Sequence, residues 1–103
     1  MTNQDLLTYL CRKHKVPMPF VELVDQPHWA VEPVGGFYVP KVHLLCIVKG
    51  ISDPDLAICH EFAHYCDELK GNLLAQLAKG FEHDLGVQKR ALRDLTEFRA
   101  VSQ

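Results

Sequence analysis

The sequence predicts an α+β fold. It comprises an N-terminal helix, a small three-stranded twisted sheet, a helix carrying His60-Glu61-Phe62-Ala63-His64, and one or two C-terminal helices. Three observations carry this. Apolar residues recur at helical spacing near both ends of the chain. Short alternating or continuous apolar runs occupy residues 20–48. Proline and glycine clusters separate those runs. The length of 103 residues fits one domain, 1–103, and the 48% apolar content is enough for a small core.

Asp5 to Lys15 reads as the first helix, with Leu6, Leu7, Leu10 and Cys11 on one face and Thr2 or Asn3 as cap. Pro17 and Pro19 end it, because proline cannot continue a helix. Phe20 to Val24 is a short strand. A turn-rich segment between Pro27 and Pro33 follows, containing Trp29, which is expected in the core or as a lid on a cleft. Gly35-Gly36 marks a tight turn into a second strand, Phe37 to Val39, which Pro40 interrupts. Val42 to Val48 is the third strand.

Ser52 or Asp53 can cap the next helix, and Pro54 suits its first turn. This helix runs from about Asp55 to Leu69 or beyond, with Ile58, Phe62, Cys66, Leu69, Leu73 and Leu77 in helical phase. Gly71-Asn72 is expected to kink or end it, and Gly80 to end the following stretch. Leu85 to Val101 forms a last amphipathic helix with Leu92, Leu95 and Phe98 inward.

The apolar stripe of the middle helix is centred almost opposite His60 and His64. Residues four apart on a helix share a face, so the two imidazoles can grip one metal ion. Glu61 lies beside them as a base for water. Two helical histidines and a carboxylate are the groups that activate water for peptide hydrolysis on zinc.

Other classes have little support. A net charge of −2 does not indicate a nucleic-acid surface, and no apolar run is long enough to span a membrane. The first residues show no basic, apolar leader pattern, so a cytoplasmic location is expected. The four cysteines, Cys11, Cys46, Cys59 and Cys66, form no C-x-x-C pair and read as small buried hydrophobes. Nothing in the sequence specifies an oligomeric state.

The run Gly36 to Ile47 followed by Ile58-Cys59-His60-Glu61-Phe62-Ala63-His64-Tyr65 resembles the compact zincin metallopeptidases. The similarity is to SprT-like proteases and to the minigluzincin and ImmA-like types. It covers about two thirds of the chain, from about Gly35 onward. The resemblance implies a single zincin-like metallopeptidase domain that hydrolyses a protein or peptide substrate. His60 and His64 would hold one Zn2+ per chain, and Glu61 would be the general base.

A zinc hydrolase normally adds a third protein ligand. In the SprT-like pattern it is a histidine ahead of the last helix, which points to His83 in Gly80-Phe81-Glu82-His83-Asp84. This chain departs from that pattern, since no glycine follows His83 and Val87 stands where an aromatic is usual. In the minigluzincin and ImmA-like pattern it is a glutamate within the later helix, which points to Glu97 in Glu97-Phe98-Arg99-Ala100. A break at Gly71-Asn72 favours His83; an unbroken helix to Lys79 favours Glu97. His83 is the expected ligand, Glu97 the alternative, and Glu82, Asp67 and Asp94 complete the candidates.

His43 could face the cleft and bind substrate or stabilise an oxyanion, and Tyr65 is expected to pack. The Val42 to Cys46 strand is expected to pair with extended substrate. Cys46, or the tail from Ala100 to Gln103, could block the site and keep it latent. The rival reading is a latent or inactive zincin-fold module that uses zinc structurally and binds a protein partner. Glu61 argues against it, since a structural site needs no base between its ligands.

Overall fold

A computed structural model describes residues 3–29, 34–71 and 73–101, with the side chains of 73–85 excepted. Helix α1 spans Asn3–His14, strand β1 Phe20–Val24 and strand β2 Gly36–Val39. A 3-10 turn, Pro40–Val42, leads into strand β3, Leu44–Val48. Helix α2 is Pro54–Leu69 and helix α3 is Leu73–Val101. The molecule is α+β.

The sheet has the order β1-β3-β2. β3 is central, parallel to β1 and antiparallel to β2. The expected third strand therefore starts two residues late. Pro40 cannot donate a ladder hydrogen bond, the chain turns through Pro40–Val42, and His43 takes a left-handed conformation at φ 51° before β3 begins.

α2 begins as its sequence requires. The Asp53 side chain accepts a hydrogen bond from the Leu56 amide at 3.1 Å, and Pro54 fills the first turn. Ile58, Phe62 and Cys66 are buried on the expected stripe, whereas Leu69 at its end is exposed. The side chains of Leu73 and Leu77, the rest of that stripe, lie outside the described residues. Gly71 ends the helix with φ +80°, a conformation that carries no penalty for glycine.

One side of α2 meets β2 and β3, and the other meets α1 and α3. The core joins Leu6 and Leu10 of α1, Leu45 and Ile47 of β3, Phe62 and Tyr65 of α2, and Leu95 and Phe98 of α3. The Tyr65 hydroxyl donates to the Pro17 carbonyl at 2.7 Å, so this ring packs, as expected, with its polar end satisfied.

α3 differs from expectation in two ways. It runs unbroken through Gly80, because a helix-interior glycine costs only about 1 kcal/mol and good helix formers on both sides carry the helix through it. Leu92 is not inward. Val87, Ala91, Leu95 and Phe98 form the buried stripe, and Leu92, one residue round from Ala91, is 47% exposed. Trp29 is neither core nor cleft lid. It is exposed and meets Phe37 edge-on, on the sheet face turned away from α2.

Candidate metal site

His60, Glu61 and His64 present ligand atoms that all lie within 4.8 Å of one another. The two imidazole centroids are 5.1 Å apart, and Glu61 is buried at 7% exposure. One turn of α2 delivers all three, which is why the grouping was readable from spacing alone. Two imidazoles and a carboxylate are ligand types that suit zinc. Among the described residues no further histidine, cysteine or carboxylate belongs to this group.

A cleft of about 610 Å³ opens over His60 and Glu61, with Gly35 and Gly36 on one side, Ile51 at its edge and Gln88 on another. Gly36 is required by this packing. A Cβ there would stand 2.6 Å from the Cys46 carbonyl oxygen and 3.4 Å from Glu61 Cγ. The tight approach sets β2 directly against the motif helix. Alternation along β2 turns Gly36 and Tyr38 toward α2 and Phe37 and Val39 to the opposite face.

Beyond His64, one turn further along α2, Glu68 accepts a hydrogen bond from the Tyr38 hydroxyl. His43 Nδ1 lies 3.3 Å from that hydroxyl and 3.6 Å from the Glu68 carboxylate. Burial, and then the Glu68 contact, push the Tyr38 pKa up. His43 is thus tied into a Tyr38-Glu68 cluster at one end of the motif face.

The candidate third ligands fall in different places. Glu97 accepts hydrogen bonds from Lys13 and, at 3.5 Å, from Tyr9. It lies in a separate cleft between α1 and α3. Asp94 is buried and accepts from Lys13 at 2.6 Å, with His14 Nε2 at 2.8 Å. Asp67 is buried and takes both Arg90 nitrogens, at 2.8 and 2.6 Å. The group of ligand atoms within 4.8 Å of one another does not include Glu97, Asp94 or Asp67. Glu82 and His83 fall in α3, and their side chains lie outside the described residues.

Cys46 is not at the motif either. Leu45 and Ile47 point into the core against α2, so Cys46 emerges on the opposite face of β3, buried and beside Glu22 in register. All four cysteines are free. Burial pushes the Cys59 and Cys66 thiols up to about 12, so both behave as inert packing groups. Of the tail proposed as a block, Ser102 and Gln103 lie outside the described residues.

One residue at the site had no signal in the sequence. Gln88 of α3 places its Oε1 2.8 Å from His60 Nδ1. Glutamine is neither a common zinc ligand nor a catalytic base, and only the packing of α3 on α2 reveals it. Comparison of the chain with protein-family models, curated proteins and solved structures found no match in any of the three.

Proposed function

We propose that this chain is a zincin-like, zinc-dependent metallopeptidase. His60 and His64 hold one Zn2+ per chain and Glu61 serves as general base. The observation that carries the proposal is the convergence of His60, Glu61 and His64 at metal-ligand distances beside an open cleft. Bound zinc would supply Lewis acidity, lowering the pKa of a water towards about 7 and polarising the scissile carbonyl.

The protein's own residues do the rest. Glu61 takes the proton from the attacking water and passes it to the leaving amine. Glu61 is buried, packs close to Gly36 and lines the cleft. His83 is the third protein ligand in this reading. The helix break at Gly71 favours it and Glu97 is held by Lys13 and Tyr9, although His83 falls within α3 and not ahead of the last helix as the SprT-like pattern has it.

The substrate is an extended segment of a protein or peptide. It cannot add to β3, as the sequence suggested, because β3 is paired on both sides. β2 is an edge of the sheet and runs beside Glu61, so the substrate pairs along β2 by strand addition. Free thiols suit a reducing, cytoplasmic setting.

Glu61→Gln tests the chemistry. It preserves shape and removes the proton acceptor, so zinc content and melting temperature should hold while peptide hydrolysis falls by at least about 100-fold. Hydrolysis at the wild-type rate would remove Glu61 from the mechanism. The third ligand has its own test in zinc content by elemental analysis. His83→Ala should lose most of the metal and Glu97→Ala should keep it, and the reverse pattern would transfer the role to Glu97.

A further inference from the structure

The zinc reading assigns His60 a metal-binding role but leaves open which of its two ring nitrogens faces the metal. A neutral imidazole carries its proton on one nitrogen and a lone pair on the other, and only the lone pair binds metal. Free imidazole side chains exchange between the two forms. At His60 the Gln88 carbonyl oxygen stands 2.8 Å from Nδ1. An amide oxygen only accepts, so this contact requires the proton on Nδ1 and leaves the lone pair on Nε2.

We propose that Gln88 is a positioning residue that locks His60 in its Nδ1–H form and directs Nε2 to the metal. This rests on the zinc reading given above. The placement of Gln88 is itself held firmly. Val87 and Ala91 on either side of it are fully buried, and Arg90, two residues on, is clamped to Asp67 through two hydrogen bonds. The backbone at position 88 is therefore fixed against α2, and the side chain reaches His60 from a rigid element. Gln88 and His60 line the same cleft, so the contact sits at the site. A neutral amide orients the ring without adding a charge to a site that already contains Glu61. Metal-bound histidines generally donate their other ring N–H to such an acceptor, and losing it weakens metal binding about 10- to 100-fold.

Two measurements on the full chain test this. The first uses metal-free protein labelled with 15N in its histidines, at about pH 8 where imidazoles are neutral. Long-range 15N–1H correlation spectra report which nitrogen of His60 carries the proton. Wild type and Gln88→Glu, which keeps the acceptor, should show His60 as the Nδ1–H form. Gln88→Ala and Gln88→Met should show a mixture of forms; methionine preserves length and helix propensity, which separates loss of the acceptor from loss of fold. The second is zinc affinity by competition with a chromophoric chelator. Gln88→Met should bind about 10- to 100-fold more weakly than wild type, and Gln88→Glu within a few-fold.

An Nε2–H form in wild type would overturn the proposal. So would a Gln88→Met protein with unchanged proton position and zinc affinity. Complete loss of zinc in Gln88→Met with His60 still in the Nδ1–H form would also overturn it, by making Gln88 a ligand. If wild type binds no zinc, the metallopeptidase reading fails, and the metal-free spectra still decide what Gln88 does.

Discussion

Asp94 shows how single charges hold this fold together. Burial pushes its pKa up, but hydrogen bonds from His14 and Lys13 and their charges outweigh that, and the carboxyl ends below its usual value. A carboxyl lowered in the folded state contributes stability that is full above the unfolded value of about 3.9 and fades as pH falls through the folded value. Glu97 also faces Lys13, so the cluster carries two acids and two bases. Asp94→Ala should destabilise the protein by about 1–3 kcal/mol at pH 6, the order expected when a buried carboxylate that accepts from partly exposed charged donors is removed. Urea titrations from pH 6 down to pH 2 should show the gap to wild type shrinking below about pH 4. A gap independent of pH would assign the loss to packing. At this scale His60, Glu61 and His64 were legible in the sequence, because one helical turn fixes their relation. The role of Glu97 was not, since its partners Lys13 and Tyr9 lie more than 80 residues away on another helix.

The elements themselves follow from local chemistry more closely than their mutual arrangement does. The periodic runs placed α1, β1, β2 and the start of α2 within a residue or two, because caps, prolines and Gly71 act on their own neighbours. Sheet order was not readable. Nothing local says that β3 lies between β1 and β2, and under the proposed function substrate pairing would fall to β2 for that reason. The inward face of α3 was misplaced at Leu92, where Ala91 takes the buried position at the helix contact. Gly36 is the element-level test. A Cβ at this position meets the Cys46 carbonyl oxygen at 2.6 Å, and a backbone atom of a central strand cannot step aside cheaply. Gly36→Ala should cost about 1–3 kcal/mol in thermal or denaturant unfolding. Under the proposed function it should also reduce hydrolysis beyond the stability loss, since a Cβ at Gly36 would stand 3.4 Å from Glu61 Cγ. Wild-type stability in this variant would contradict the close approach of β2 to α2.

Across the whole molecule, α2 is the shared support. The sheet lies on one side of it, α1 and α3 on the other, and the motif face is left at the cleft between β2 and α3. Asp67 and Arg90 fasten α3 to this support, and the Asp94 cluster fastens α1 to α3. Among the described residues no helix is long and apolar enough to cross a membrane. A metal held by α2, and by α3 through its third ligand, would bridge two helices and stabilise the folded chain. Free zinc at 100 times its dissociation constant should add about 2.7 kcal/mol. The most direct test of the central claim is metal content by elemental analysis of wild type beside His60→Ala and His64→Ala, with melting temperatures taken before and after adding zinc. The account predicts one zinc per wild-type chain, a rise in melting temperature on adding zinc to the stripped protein, and loss of both in either variant. Wild-type protein that carries no zinc and gains no stability from it would contradict the claim that His60 and His64 form a metal site.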